Sequence, residues 1–253
     1  GGQTKRTWRK TMHMLEQQGF CSIAIDMRGH GESEWAPPDQ YRFADFGKDI
    51  LAVCDTLNER PHVIGASLGG LAALVAEGAL RPGSFASLTL VDVTPEMAPD
   101  GVSRIVGFMS AHIETGFASL EEAAEAIGNY LPNRPKRGAR EGLKSYLRLG
   151  PDNRYRWHWD PGFLSRINER REHDYALAKA AAGNLSLPVH LVRGGASDLI
   201  SLEAAKRFIN FVSGAHFTDV SGAGHMVVGD DNDVFSRAII DFLEVQDKLR
   251  EAV

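Results

Sequence analysis

The stretch PHVIGASLGGLAALVA, residues 61–76, carries the most informative pattern of the chain. Its first four residues form a short, mostly apolar run typical of a buried strand, and residues 68–76 have the small, apolar composition of a tightly packed helix. Between them lies a G-x-S-x-G pattern centred on Ser67. A serine on so sharp a turn has its hydroxyl held clear of the backbone, at the N-terminus of the helix. A large side chain at Gly65 or Gly69 is expected to collide with neighbouring backbone.

Two further polar residues are each predicted to follow a strand. Residues 188–193 predict a strand that runs into a glycine-containing loop ending at Asp198, and residues 216–220 predict another, followed by the glycine-rich loop that carries His225. Catalytic groups gather at the carboxyl ends of parallel strands, so we expect these residues beside Ser67 at one sheet edge. A serine hydroxyl needs an imidazole to take its proton and a carboxylate to orient that imidazole. The chain order Ser, Asp, His is that of one triad lineage.

These motifs resemble those of α/β-hydrolase-fold serine hydrolases, in the branch of small bacterial esterases, lactonases and cofactor-free haloperoxidase-like enzymes. The stretch DMRGHGES, residues 26–33, matches a D-x-R-G-x-G-x-S turn of that family, and GGQT, residues 1–4, resembles the end of its His-Gly-Gly-Gly-Gln-Thr loop. The resemblance covers nearly the whole chain. It implies a mostly parallel sheet flanked by helices, with a helical cap, and it makes Arg28, His30 and Glu32 scaffold residues.

The acid of the triad has two candidates. The resemblance favours Asp198, because residues 194–198 (GGASD) match the family's acid loop. Asp92 also follows a predicted strand, and some relatives carry the acid there. If Asp198 is the acid, Asp92 is expected to organise the entry into the cap at residues 94–95.

The oxyanion hole is predicted from backbone groups. One donor is the N–H of Leu68, the residue after the nucleophile. By resemblance the other belongs to Gly1 or Gly2, and Gly1 aligns better. The sequence begins inside this loop, so the family's first strands, including the one between residues 23–25 and 63–64, have no residues here. We therefore expect a fragment, or a chain whose preceding residues, where a signal peptide would lie, are absent from the sequence.

From about residue 96 to residue 185 the strand signals vanish, and helices are expected over 120–131, 141–149 and 166–182. The resemblance makes this insertion a cap that roofs the pocket. The domains expected are a first core part (1–95), the cap (96–185) and a second core part (186–253). Aromatic and methionine side chains in the cap are candidates for substrate binding or for the cap core: Phe108, Met109, Trp157 and Trp159.

Composition excludes several function classes. The net charge of −5 provides no basic face, which argues against nucleic acid as a partner. No apolar run approaches the roughly 18–20 residues that span a bilayer. The cysteines, Cys21 and Cys54, are expected to be free thiols, which favours a reducing, cytoplasmic compartment. No metal-ligand spacing or phosphate-binding loop is evident, so no metal and no cofactor are expected.

The sequence predicts hydrolysis of a carboxylic ester or lactone through an acyl-enzyme intermediate, on a small and largely apolar substrate. In this family, dehalogenases and epoxide hydrolases carry an aspartate in place of Ser67, which disfavours those activities. Haloperoxidase-like perhydrolysis and C–C bond hydrolysis remain open on the same triad. A different class also stays open, because some relatives bind a small ligand without turnover. The oligomeric state is not predicted.

Overall fold

The computed structural model of the chain describes residues 1–130, 143, 146–220 and 233–251. The strands are β1 (His62–Ala66), β2 (Ser87–Val91), β3 (Leu147–Leu149), β4 (Tyr155–Trp157), β5 (Val189–Gly194) and β6 (His216–Val220). The helices are α1 (Arg9–Gln17), α2 (Phe43–Cys54), α3 (Leu68–Val75), α4 (Pro99–Ser110), α5 (Leu120–Tyr130), α6 (Pro161–Ser165), α7 (Ile167–Gly183), α8 (Leu202–Phe211) and α9 (Asp233–Glu251). Short 3₁₀ turns cover Lys5–Trp8 and Pro38–Gln40, and a π turn, Ala76–Leu80, follows α3.

The central sheet is parallel, with the spatial order β1-β2-β5-β6. Strands β2 and β5 are buried along their whole length, as expected for central strands covered by helices on both faces. Because the described strands of this sheet run in one direction, their carboxyl ends share one edge. Ser67 follows β1 at that edge, and Asp92 follows β2. The predicted fold class is confirmed.

Helices cover both faces of this sheet. On one face Leu88 and Leu90 of β2 join a large apolar cluster that includes α2, α3 and α7. On the other face Val91 joins a smaller cluster with α9 and Leu15 of α1. Successive side chains of a strand point to opposite faces, so a continuous apolar strand supplies both clusters. The nucleophile helix α3 is thereby fixed against the sheet, with seven of its eight residues buried.

Residues 20–25, which the sequence pattern predicts as a strand, are not assigned to one. Ladder hydrogen bonds define a strand, and no described strand pairs with this segment. Ile23 is 61% exposed. In the described sheet β1 is an edge strand that pairs with β2 alone.

The segment from residue 96 to residue 185 is not purely helical. Strands β3 and β4 form a short antiparallel hairpin, so the helix predicted over 141–149 is wrong at Leu147–Leu149. Phe117 adds an isolated bridge to Tyr155 of β4. The helices predicted over 120–131 and 166–182 are confirmed as α5 and α7, although residue 131 lies outside the described residues. The division into core and cap stays a prediction.

Candidate active site

Ser67 lies on a strained turn between β1 and α3. Its backbone has φ 49° and ψ −118°, a region that L-residues rarely adopt and that costs about 1–3 kcal/mol. The turn is held in place because its N–H donates to the Val91 carbonyl at 3.2 Å, while its carbonyl accepts from Gly70 N at 3.0 Å. The first turn of α3 therefore begins directly behind the serine, as the G-x-S-x-G pattern predicts.

Two glycines are required by this turn. A Cβ on Gly65 would lie 2.6 Å from the carbonyl carbon of Gly69, and a Cβ on Gly70 would lie 2.5 Å from Val93 Cγ1. At Gly69 a Cβ would meet only Met27 Sδ, at 3.9 Å, which is ordinary van der Waals contact. The expected crowding thus holds at Gly65, whereas the second tight position is Gly70 rather than Gly69. The consecutive glycines Gly69 and Gly70 in the sequence are the signal that could have identified this position.

Ser67 opens into a cavity of about 800 Å³, counting the part open to solvent. Ser67 and Leu68 line this cavity, and α4, α6 and α7 supply much of the remaining lining. Most of the lining is apolar. The apolar residues that α4, the segment before it and the loop after β5 contribute are Met97, Val102, Ile105, Val106, Met109 and Leu199. Such a lining suits an apolar ligand, with orientation left to a few polar groups.

Asp92 is fully buried at the end of β2, with φ 48°. Its Oδ1 accepts from Gly194 N at 3.0 Å, and its Oδ2 accepts from Ser197 Oγ at 2.6 Å. These bonds attach Asp92 to the loop after β5. At the entry to the cap, Thr94 donates from Oγ1 to the Glu96 carbonyl at 2.7 Å, and a role of Asp92 there stays a prediction.

Asp198 follows that same loop and faces α4. Its carboxylate forms an ion pair with Arg104, and 35% of its side chain is exposed. Helix α4 approaches closely, because a Cβ on Gly101 would lie 2.6 Å from the Asp198 carbonyl oxygen. His225 lies outside the described residues, so the triad of Ser67, Asp198 and His225 stays a prediction.

The first glycine loop reaches the cavity, and Gly1 lines it beside Ser67 and Leu68. Gly2 is buried with φ 74°, and its carbonyl accepts from His158 Nε2 at 3.3 Å. His158 Nδ1 in turn accepts from Gly31 N at 2.9 Å. These bonds assign a neutral ring with its proton on Nε2, and burial lowers the pKa of His158 to about 4. His158, which the sequence pattern did not single out, therefore connects the first glycine loop to the turn at residues 26–33.

Three of the four cap residues proposed for substrate binding lie outside the cavity lining. Trp157 stacks on Trp159, with ring centroids 4.7 Å apart, and Phe108 stacks on Tyr130 at 4.0 Å. Met109 alone of the four lines the cavity. The aromatic rings pack against each other because mutual stacking buries their large apolar faces. This packing is what a cap core requires, and the choice between that role and substrate binding stays a prediction for the three aromatic residues.

The turn at residues 26–33 has the contacts of a scaffold. Arg28 binds the Asp49 carboxylate through two hydrogen bonds of 2.6 Å. His30 is buried with its ring 5.0 Å from that of Phe163, and burial lowers its pKa to about 3. Glu32 pairs with Lys5 at 2.6 Å. None of the three lines the cavity.

The described residues contain neither a cluster of metal ligands nor a membrane-spanning helix. In residues 1–130, 143, 146–220 and 233–251, no group of three or more histidine, cysteine, aspartate or glutamate side chains is arranged to hold a metal ion. None of the described helices combines the length and the apolar character needed to cross a membrane. Both cysteines in this part of the chain are free thiols.

Comparisons with known proteins agree with this geometry. A family model described as alpha/beta hydrolase fold matches residues 1–231. Esterase Rv0045c of Mycobacterium tuberculosis is 28% identical over 239 residues, covering 91% of this chain and 76% of that protein. The 2-(acetamidomethylene)succinate hydrolase of Mesorhizobium japonicum is 27% identical over 241 residues, covering 89% of this chain and 79% of that protein.

Solved structures show the same fold. The crystal structure of E-2-(acetamidomethylene)succinate hydrolase superposes with a TM-score of 0.81 at 23% identity, covering 96% of this chain and 88% of that one. A structure of the M. tuberculosis esterase gives a TM-score of 0.77 at 24% identity, covering 96% of this chain and 82% of that one.

Proposed function

The chain belongs to the alpha/beta hydrolase fold family, and we propose that it is a serine hydrolase that cleaves a carboxylic ester or lactone through an acyl-enzyme intermediate on Ser67. The observation that carries the proposal is the strained backbone of Ser67, at a strand-to-helix turn that opens directly into an apolar cavity. Strain of this kind persists where the surrounding structure fixes it, and it clusters at functional sites. The esterase and hydrolase relatives support the same class of reaction.

In the proposed mechanism, His225 removes the proton of the Ser67 hydroxyl as its oxygen attacks the substrate carbonyl. The negative charge that develops on the carbonyl oxygen is bound by the N–H of Leu68 and by a donor of the first glycine loop, Gly1 in preference to Gly2. His225 then gives its proton to the departing alkoxide. Water, activated by the same imidazole, hydrolyses the acyl-enzyme. Asp198 orients the imidazole and stabilises its charged form, with Asp92 as the alternative acid.

We propose that residues 96–185 select the substrate, because Met97 and α4 supply much of the apolar lining around Ser67. Met109 is the proposed substrate contact among the four cap candidates. Replacing Met109 with Ala enlarges the cavity, so longer acyl chains should gain by about tenfold relative to acetate. Phe108→Ala, which changes a ring outside the lining, is the matched control. The same chain-length ranking in Met109→Ala as in the parent would exclude this contact.

The proposed function is tested with the full-length chain and p-nitrophenyl acetate and butyrate. Ser67→Ala should lose ester hydrolysis by several orders of magnitude and all labelling by a fluorophosphonate probe, because the members of a triad act together. Ser110→Ala, at an exposed serine, is the control and should match the parent. Near-parental turnover by Ser67→Ala would refute the serine mechanism. Ligand binding without turnover or labelling in the parent would instead identify a non-catalytic relative.

A further inference from the structure

One wall of the cavity is a polar face of α7. The lining residues on this helix are Ile167, Asn168, Arg170, Arg171, Asp174 and Tyr175. Their spacing of three and four residues places them on one face. The rest of the lining is largely apolar, so the charged members of this face decide which polar group of a ligand can be accommodated.

Two of those charged residues are already engaged. The Arg170 guanidinium donates to the Pro38 carbonyl at 3.3 Å and to the Phe163 carbonyl. Asp174 is buried, and its Oδ1 lies 3.7 Å from Arg42 Nε. The only anion of the wall thus faces a cation that does not line the cavity.

Arg171 differs from both. It is half-buried, and no hydrogen bond or ion pair joins its guanidinium to any residue of the described ranges. Arg42 and Arg170 already lie near the single carboxylate of Asp174, and Arg171, which acts on Tyr175, adds a third cation on the same face. This end of the cavity therefore carries an excess of positive charge. A guanidinium at an apolar cavity loses hydration unless an anion replaces the water.

We infer that Arg171 binds a carboxylate of the substrate, and that the preferred substrates are esters whose acyl group ends in a carboxylate. The inference rests on the proposed function, because it places the ester carbonyl at Ser67 and the carboxylate at the α7 wall of the same cavity. The planar guanidinium matches a carboxylate with two parallel hydrogen bonds, and the apolar lining between the two ends contacts the methylene chain.

The test compares p-nitrophenyl hydrogen adipate with p-nitrophenyl methyl adipate, and the corresponding suberates, which differ in the terminal charge. The parent should show a kcat/KM at least about tenfold higher for the acids. Arg171→Met keeps a long, unbranched side chain but removes the charge. It should therefore lower kcat/KM for the acids by about 10- to 100-fold, mainly through a higher KM. Methyl esters should stay within about twofold, and Arg171→Lys should restore part of the loss.

The control is Arg166→Met, at an exposed arginine that pairs with Glu169 at 2.7 Å beside the start of α7 and does not line the cavity. It should leave the preference for acids unchanged. Equal rates for acids and methyl esters, or an unchanged preference in Arg171→Met, would overturn the inference and leave the esterase proposal standing. No hydrolysis of any ester, together with no fluorophosphonate labelling, would refute the proposed function itself.

Discussion

His158 donates from Nε2 to the carbonyl oxygen of Gly2 at 3.3 Å, and so ties the segment after β4 to the first glycine loop. The same ring accepts from Gly31 N at 2.9 Å. One buried neutral imidazole thereby satisfies a donor and an acceptor on two separate loops. Because Gly1 adjoins Gly2 and lines the cavity, this contact connects the position of the proposed oxyanion donor to the packing of the insertion.

His158→Phe should lower both stability and activity. The ring volume is kept, but Gly31 N–H and the Gly2 carbonyl lose their partner, which costs roughly 1–3 kcal/mol for each group. His158→Gln, whose amide carries both a donor and an acceptor, should recover part of the loss. Urea unfolding and kcat on p-nitrophenyl acetate measure the effect. Equal stability of His158→Phe and the parent would show that the two hydrogen bonds contribute nothing.

Acidification should destabilise the fold between about pH 6.5 and pH 4. Burial lowers the pKa of both His158 and His190 to about 4, whereas histidines in an unfolded chain titrate near 6.5. In this window the unfolded chain binds protons that the folded chain excludes. The contribution of these two neutral histidines to the free energy of unfolding is therefore fully present above pH 6.5 and decreases toward pH 4.

His158→Gln removes one of these groups, so its free energy of unfolding should depend on pH less steeply, by up to about 1.4 kcal/mol per pH unit. His13→Gln, at an exposed histidine of α1, is the control and should keep the parental slope. Urea titrations at pH 7, 5.5 and 4.5 provide the comparison. A slope in His158→Gln equal to that of the parent would contradict a buried neutral ring.

The strand–turn–helix around Ser67 could be predicted because its information is local. Apolar residues before the serine and small residues after it determine both elements without reference to the rest of the chain. The β3–β4 hairpin could not be predicted, since three-residue strands carry too short a pattern and Phe117 joins Tyr155 across a long sequence separation. Likewise, nothing near Trp157 in the sequence shows whether its ring faces a cavity or stacks on Trp159.

The side-chain partners at the sheet edge could not be predicted from the sequence either. Sequence position places Asp92 after a strand, but its attachment to Gly194 and Ser197 depends on β2 and β5 being spatial neighbours. The crowding at Gly70 likewise comes from Val93, a residue of the next loop along the sheet. Patterns in the sequence give the elements and the edge at which they end, whereas contacts between elements require their packing.

Gly65→Ala should destabilise the protein strongly, whereas Gly69→Ala should be tolerated. The added Cβ at residue 65 meets backbone of α3 at 2.6 Å, and backbone cannot move aside without disturbing the turn that holds Ser67. At residue 69 the nearest atom is 3.9 Å away, and alanine favours a helix over glycine by up to about 1 kcal/mol. Thermal unfolding of the pair measures the difference. Equal melting temperatures would contradict the close approach.

Asp198→Asn should lower kcat by ~10³- to 10⁴-fold with little change in stability. The amide keeps the size of the carboxylate but can no longer orient and stabilise the charged imidazole. Asp92→Asn should instead lower the free energy of unfolding by roughly 1–3 kcal/mol, because one of its two acceptor oxygens becomes a donor facing Gly194 N–H or the Ser197 hydroxyl. Its kcat should fall by less than about tenfold.

Ser197→Ala separates the two roles of Asp92. This variant removes the hydroxyl that donates to Asp92 Oδ2 but leaves both carboxylates in place. If Asp92 only supports the loop after β5, Ser197→Ala and Asp92→Asn should lose similar stability and retain similar kcat. If Asp92 is the catalytic acid, Asp92→Asn should lose kcat by ~10³- to 10⁴-fold while Ser197→Ala and Asp198→Asn stay active. Steady-state kinetics and urea unfolding of the three variants therefore decide between the two acids.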